Sequence, residues 1–201
     1  GGLVMPKIKW IGLIKEEKMK DYQVGELSKN AKKMNMPTTS KEMMIKALPF
    51  IIPALVILFL SVYFKSGEFF LLRLYIIIGV LLGFLALIIH ELLHAIVYPK
   101  NANVYIGIAK PITFVALASY PLKKEKFILM CLLPYILGII PLILFWIMPI
   151  TDMKIHSILF GLSAMGLGSP YPDLFNVYQV LKQTPKNCKI QFYKDDTYYI
   201  E

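Results

Sequence analysis

The pattern in the chain that most clearly suggests chemistry is a pair of histidines four positions apart, with a glutamate directly after the first. His90, Glu91 and His94 form the pattern H-E-x-x-H at the end of a long apolar stretch. On a helix, residues i and i+4 share one face, so both imidazoles can bind one tetrahedral cation. Glu91 projects about 100° away, within reach of a water in an open coordination position. We therefore predict one zinc ion per chain, with Glu91 as the general base.

Chance is a poor explanation for this pattern. With three histidines and eight glutamates in 201 residues, random placement produces it roughly 0.002 times per chain. The structural alternative is that these polar residues only close a helix near the membrane surface. That alternative is disfavoured because unpaired polar groups inside a membrane span are expensive.

The elements that must position these residues are membrane helices. Hydrophobic residues make up 57% of the chain and charged residues 17%, with a mean hydropathy of +0.59. A soluble domain carries about 25% charged residues, and the same composition excludes disorder and a disulfide-stapled secreted module. Four long apolar segments predict four transmembrane helices: Ala47 to Phe64, Phe69 to Tyr98, Phe127 to Ile150, and Ile155 to about Leu181.

The basic residues predict the orientation of these spans. Of 22 lysines and arginines, 19 lie before or at the start of the first span, between the second and third, or after the fourth; the others are Lys65, Arg73 and Lys154. The positive-inside bias therefore places both termini and the loop between the second and third spans in the cytoplasm. The net charge of +9 belongs to these flanks. It favours an anionic lipid bilayer as a partner and argues against nucleic acid.

Short segments outside the spans carry separate predictions. Ala102 to Ala109 and Ile112 to Ser119 are β-branched and aromatic stretches around Lys110-Pro111, and they predict a membrane-associated β-hairpin. The tail from Lys189 to Ile200 predicts a second hairpin, with its turn at Asp195-Asp196. Residues 8–18 are either a short interfacial helix or a loosely ordered basic tail.

Together these patterns predict an all-α membrane protein with about four transmembrane helices and a short membrane-associated β-hairpin between the second and third. The predicted domains are a basic cytoplasmic or interfacial N-terminal segment (1–46), a four-span metalloprotease-like domain (47–181) and a cytoplasmic tail (182–201).

A catalytic zinc usually has three protein ligands, so a third ligand must come from another segment. His156 opens the fourth span at the opposite membrane face, and we predict it to be a water-facing cap. Asp173 lies roughly 27 Å into that span, level with His90 at roughly 31 Å into the second. Glu125 lies in a lysine cluster and Glu201 ends the sequence, which leaves Asp173 as the predicted ligand. The alternative is an aspartate that only caps a helix.

An intramembrane H-E-x-x-H followed by an Asp after a proline-containing helix break resembles the site-2 protease group of intramembrane zinc metalloproteases. The small layout, with Ser-Pro-Tyr-Pro-Asp-Leu-Phe-Asn at 169–176, is more similar to a bacterial membrane family of unknown function described as putative zincin peptidases. The resemblance covers most of residues 47–181. Asp173 is followed by Leu174 instead of glycine, and no Asn precedes Pro170 or Pro172, so the site-2 protease pattern is incomplete here. The resemblance implies a protein of the bacterial cell membrane.

The predicted function is a zinc-dependent endopeptidase that hydrolyses membrane-associated proteins or peptides in or at the bilayer through a metal-activated water. Asn176, one turn after Asp173, is a candidate oxyanion donor or ligand-orienting residue, or else an ordinary packing residue. A transmembrane substrate must unwind before cleavage, and the hairpin Ala102 to Ser119 is the suspected substrate-binding strand. The oligomeric state is not indicated.

Two other function classes stay open. One is a proteolytically inactive zinc-binding membrane protein that acts as a regulator or assembly factor, although a site for binding alone needs no carboxylate beside its first ligand. The other is an ion or solute carrier, which the intramembrane His and Asp would fit. The sequence has no internal repeat and no second polar cluster in its spans, which argues against a carrier.

Overall fold

Much of the chain forms helices that are apolar enough to lie in a bilayer. The fold is known from a computed structural model, which describes residues 5–66, 72–110 and 112–201. In these residues, three helical stretches have the length and composition to cross a membrane: Ser40–Lys65, Arg73–Ala95 and Lys124–Ile147. Each joins two helices: α1 (Ser40–Ala47) and α2 (Ile52–Ser66), α3 (Arg73–Leu85) and α4 (Leu87–Ala95), α5 (Lys124–Leu132) and α6 (Ile136–Ile147). Phe69, the predicted start of the second span, and Pro111 of the predicted hairpin turn lie outside the described residues.

The predicted all-α class with four spans is wrong. Across the described ranges the helices are accompanied by seven strands in two sheets, so the fold is mixed α/β. The fourth predicted segment, Ile155 to Leu181, consists of two helices, α7 (Met153–Gly168) and α8 (Tyr171–Gln183), and is not among the three long apolar stretches. The chain breaks at Ser169-Pro170, because proline has no N–H to donate to the preceding helix. The polar residues that follow then form α8.

Helix α7 packs closely against α3 and α6 at glycine contacts. A Cβ at Gly161 would collide with the backbone of Ile76 in α3, and one at Gly166 would collide with the backbone of Gly138 in α6. Small residues let helix backbones approach closely in a bilayer, where lipid is as apolar as the helices. Two serines of α7 are fully buried in this packing: Ser157 and Ser163. Because α7 is enclosed by other helices, it does not need a continuous apolar surface.

The first sheet has three strands in the order β1-β3-β4: β1 (Lys7–Ile14), β3 (Asn103–Ala109) and β4 (Thr113–Leu117). Strands β3 and β4 are antiparallel, with Ile106 opposite Ala116, which confirms the predicted hairpin. Strand β1 runs parallel to β3, so residues 7–14 are neither an interfacial helix nor a loose tail. Its register shifts between Trp10 and Gly12, where Gly12 has a φ of 70° that favours glycine.

The second sheet has four strands in the order β2-β7-β6-β5: β2 (Lys32–Lys33), β7 (Asp196–Ile200), β6 (Lys189–Tyr193) and β5 (Leu122–Lys123). All of its pairings are antiparallel. The predicted tail hairpin is confirmed, although its turn is Lys194-Asp195, one residue earlier than predicted, because Asp196 already pairs with Tyr193. Lys194 in that turn has a φ of 55°.

The two sheets join segments that are far apart in sequence. Strand β1 pairs with the 103–117 hairpin, β2 pairs with β7, and β5 pairs with β6. Both ends of the described chain and the loop between α4 and α5 therefore lie on the same side of the helices. Their apolar residues share one core, which includes Met34, Val104 and Ile190.

Candidate metal centre

Helix α4 places His90, Glu91 and His94 next to each other in the interior. The two histidines lie one turn apart on the same face, and their Nε2 atoms are 2.9 Å apart. The exposed fractions of His90, Glu91 and His94 are 6%, 7% and 8%. In the part of the chain that the structure describes, these three form a group of potential metal ligands whose ligand atoms all lie within 4.8 Å of one another.

Asp173 reaches both histidines from α8. Its Oδ2 lies 3.4 Å from Nε2 of His90 and 3.5 Å from Nε2 of His94. Pro170 occupies the N-cap position of α8 and makes no side-chain cap, while Asp173 sits in the first turn with its carboxylate turned to the imidazoles. The helix break thus brings the aspartate to the histidine pair, as the glycine and proline pattern suggested. Its role as a metal ligand stays a prediction.

A backbone carbonyl determines the tautomer of His94. Nδ1 of this ring lies 2.8 Å from the carbonyl oxygen of Met130 on α5. A carbonyl only accepts hydrogen bonds, so Nδ1 carries the proton and the lone pair of Nε2 faces His90 and Asp173. Metal-binding histidines are typically oriented in this way by a partner on the other ring nitrogen. Sequence reasoning missed this contact, because a carbonyl leaves no signature in the residue type.

The spacing of the three ligand atoms fits a tetrahedral zinc. Ligands about 2.0 to 2.1 Å from zinc at the corners of a tetrahedron are about 3.3 to 3.4 Å from one another. The three separations here are 2.9, 3.4 and 3.5 Å. Nitrogen and carboxylate donors are also the types that zinc prefers. The donor types and spacings of the residues present therefore fit zinc, and the assignment of His90, His94 and Asp173 as its ligands stays a prediction.

The carboxylate of Glu91 lies beside this set of three atoms. Its Oε1 is 3.9 Å from Nε2 of His90. On its other side the carboxylate lies near the backbone of Ala116 on β4, which lines the same cavity. The glutamate therefore lies beside the β3–β4 hairpin.

A cavity of about 450 Å³ contains the site. One wall is β4, all five residues of which line it, and the opposite side includes Tyr171 and Asn176 of α8. The side-chain oxygen of Asn176 is buried and accepts no hydrogen bond from the described residues. Sequence reasoning missed a further wall, formed by the N-terminal segment: Glu16, Met19, Gln23, Pro37, Thr38, Thr39, Ser40, Met43 and Met44. Those residues carry no motif that points to the site.

The other candidates lie away from this cavity. His156 is 2% exposed at the start of α7, with its ring nitrogens 3.0 Å from the carbonyl of Asp152 and 3.3 Å from that of Met148. The prediction that it faces water is therefore wrong: the ring folds back onto its own helix start and packs against Phe145. Glu125 is exposed on α5, and Glu201 pairs with Lys32 at 2.7 Å.

A sequence profile of the family described as "Putative zincin peptidase" matches residues 83–189, more than half of the chain. The chain belongs to this family. The family resemblance predicted from the motif is thereby confirmed, and the matched residues include the histidine pair, Glu91, the β3–β4 hairpin and Asp173. No curated protein and no solved structure matches the chain. The family description supports zinc and peptidase chemistry at a coarse level, and the three long apolar helices support a membrane protein.

Proposed function

We propose that the protein is a zinc-dependent endopeptidase that hydrolyses peptide bonds of membrane-associated proteins in or at the bilayer. The observation that carries this proposal is the triangle of Nε2, Nε2 and Oδ2 atoms from His90, His94 and Asp173, separated by 2.9 to 3.5 Å with Glu91 beside it. Three ligands leave one position of a tetrahedral ion open, as catalytic zinc sites require. A closed structural site would use a fourth protein ligand.

In the mechanism, the chain's own residues hold the ion and move the proton. Zinc, when bound here, lowers the pKa of a coordinated water to about 7 and polarises the substrate carbonyl. Glu91 accepts the proton from the attacking water and returns it to the leaving amine. The Glu91 carboxylate lies beside the backbone of Ala116, and the low exposure of the site limits the access of other water.

Asn176 is the proposed polar partner of the reacting carbonyl. It lies one turn after Asp173 on α8 and lines the cavity. Its amide can donate to the oxygen that becomes negative during attack. Its own side-chain oxygen is buried and has no hydrogen-bond donor among the described residues.

The free edge of β4 is the proposed substrate-binding strand. Among the described strands, β4 is at the end of the first sheet and pairs with β3 alone, and its residues line the cavity. An unpaired strand edge binds an extended peptide through main-chain hydrogen bonds. A helix buries its own carbonyls, so a transmembrane substrate must unwind before it can lie along this edge.

We place the protein in the bacterial cell membrane, with both termini and the loop between α4 and α5 in the cytoplasm. The sheet pairings put these segments on one side, and they carry most of the basic residues. Basic flanks favour the cytoplasmic face and attract anionic lipid. The site then opens toward the cytoplasmic side of the bilayer.

The proposal is tested with purified protein in detergent. Zinc content is measured, and cleavage is followed on fluorescent casein and on a reconstituted single-span membrane protein. We expect one zinc per chain, loss of zinc in His90→Ala, and retained zinc without cleavage in Glu91→Gln. A zinc-loaded parent that cleaves neither substrate would favour the non-proteolytic zinc-binding protein instead, and a fully active Glu91→Gln would exclude Glu91 as the base.

A further inference from the structure

A short 3-10 helix, Glu16–Tyr22, crosses one face of the first sheet beside the metal centre. It has no buried residue, and five of its seven residues are charged. Its contacts with the sheet come from the partly buried side chains of Met19 and Tyr22, which pack on a small cluster that includes Val115 and Leu117 of β4. We call this element the lid helix. Segments with few buried apolar contacts open at low free-energy cost.

One side-chain contact joins the lid helix to the start of α1. Oε1 of Glu16 accepts a hydrogen bond of 2.8 Å from the backbone N–H of Ser40, the first residue of α1. Thr39, the N-cap, uses its side chain for the N–H of Glu42. Glu16 therefore supplies the acceptor that the first turn of α1 lacks in its own sequence. The side chain of Ser40 and, to a smaller extent, its backbone N–H lower the pKa of Glu16 and favour the carboxylate anion.

The far end of the lid helix is anchored by the backbone. The carbonyl of Gln23 accepts a hydrogen bond of 2.8 Å from the N–H of Lys194, in the turn between β6 and β7. At the near end, Ile14 continues the β1 pairing up to Ala109. The lid helix thus connects the first sheet to the second. The side chain of Glu16 is its contact with α1.

The closed position limits access to the metal centre. The exposed fractions of His90, Glu91 and His94 do not exceed 8%. The residues of β4 and the start of α1 line the same cavity, and the Glu16–Ser40 contact holds the lid helix against α1 at this cavity. Peptidases commonly admit substrate by moving such an element.

We propose that the lid helix closes the metal centre in the resting protein and that Glu16 is its latch, released when substrate enters. The purpose of this latch rests on the proposed function, whereas the Glu16–Ser40 hydrogen bond is observed in the structure. The lid helix and Ser40 lie outside the 83–189 family match. Access to the site is therefore controlled by a segment that the match does not cover.

The test measures opening without using catalysis. Val115 is 8% exposed and packs against Met19 and Tyr22 of the lid helix, so a Val115→Cys protein should react faster with N-ethylmaleimide when the lid lifts. Adding Glu16→Ala should raise that labelling rate about fivefold, the factor for loss of one helix-capping hydrogen bond. Glu16→Gln keeps a neutral acceptor and should fall between the two. Glu17→Ala removes the neighbouring exposed charge and should leave the rate unchanged.

The native buried thiol of Cys131 reports general loosening of the fold in the same samples. Equal rates in Glu16→Ala and Glu17→Ala, or a matching rise at Cys131, would overturn the latch. A second experiment joins Glu16→Cys and Ser40→Cys with a short bis-maleimide and measures casein cleavage. Loss of cleavage upon cross-linking supports the lid, and full cleavage refutes it. If the unlinked protein cleaves nothing, the proposed function fails, while the labelling rates still decide the latch.

Discussion

Replacement of Asp173 by asparagine is expected to weaken zinc binding about 100-fold. The carboxylate oxygen lies 3.4 and 3.5 Å from the two Nε2 atoms, at the third corner of the ligand triangle. Zinc sites with four protein ligands bind with about 10 to 16 kcal/mol, so one ligand contributes roughly 3 kcal/mol. Asparagine keeps an oxygen at this corner but loses its charge, and about 3 kcal/mol corresponds to about two decades in affinity.

The assay is chelator competition on purified protein, with the thermal midpoint of each variant measured beside it. The midpoint of apo Asp173→Asn should stay near that of the apo parent, because the N-cap of α8 is Pro170 and not the aspartate. His156→Ala, changed at the other end of α7, is the control and should keep parental zinc affinity. Parental affinity in Asp173→Asn, or loss of zinc in His156→Ala alone, would refute the ligand assignment.

Three other outcomes are expected. Gly161→Leu should destabilise the protein by about 1 to 3 kcal/mol, because a side chain there meets the α3 backbone; an unchanged thermal midpoint would contradict the packing. A cysteine at Lys154 should react with an impermeant label from outside intact cells, while one at Lys126 should stay protected; the reverse pattern would invert the orientation. Because its pKa is lowered in the closed state, Glu16 should stabilise the lid above the ordinary glutamate pKa and lose that effect as pH falls through the lowered value. In Val115→Cys proteins with Glu16 or with Glu16→Gln, the two labelling rates should therefore converge at acid pH. If the ratio of the two rates does not change with pH, the negative charge of Glu16 does not stabilise the closed lid.

The local part of the site was readable in the sequence. The spacing of His90 and His94 fixes a shared helical face whatever surrounds it, and the glycine and proline break before Asp173 marks where a carboxylate can turn inward. Those arguments need only helix geometry. The backbone groups near the site, the Met130 carbonyl and the backbone of Ala116, are positioned by the packing of distant segments. They cannot be predicted from residue types.

The errors have physical causes of the same kind. Residues 7–14 contain apolar positions that suit either a helical stripe or a strand, and the choice was made by pairing with β3 about 90 residues later. The fourth apolar segment was counted as a span because its mean composition resembles the others. Its glycines and serines instead fit a helix enclosed by α3 and α6, and Pro170 interrupts it.

The pairing of strands across the two sheets also sets the order in which a newly made chain becomes competent. When α4 has been made, the chain already carries both histidines and Glu91, yet the proposed third ligand, Asp173, and the proposed binding edge of β4 come later in the sequence. The anchor of the lid helix at Lys194 and the partner of β2 follow later still. The proposed activity therefore requires that segments far apart in the chain have already met.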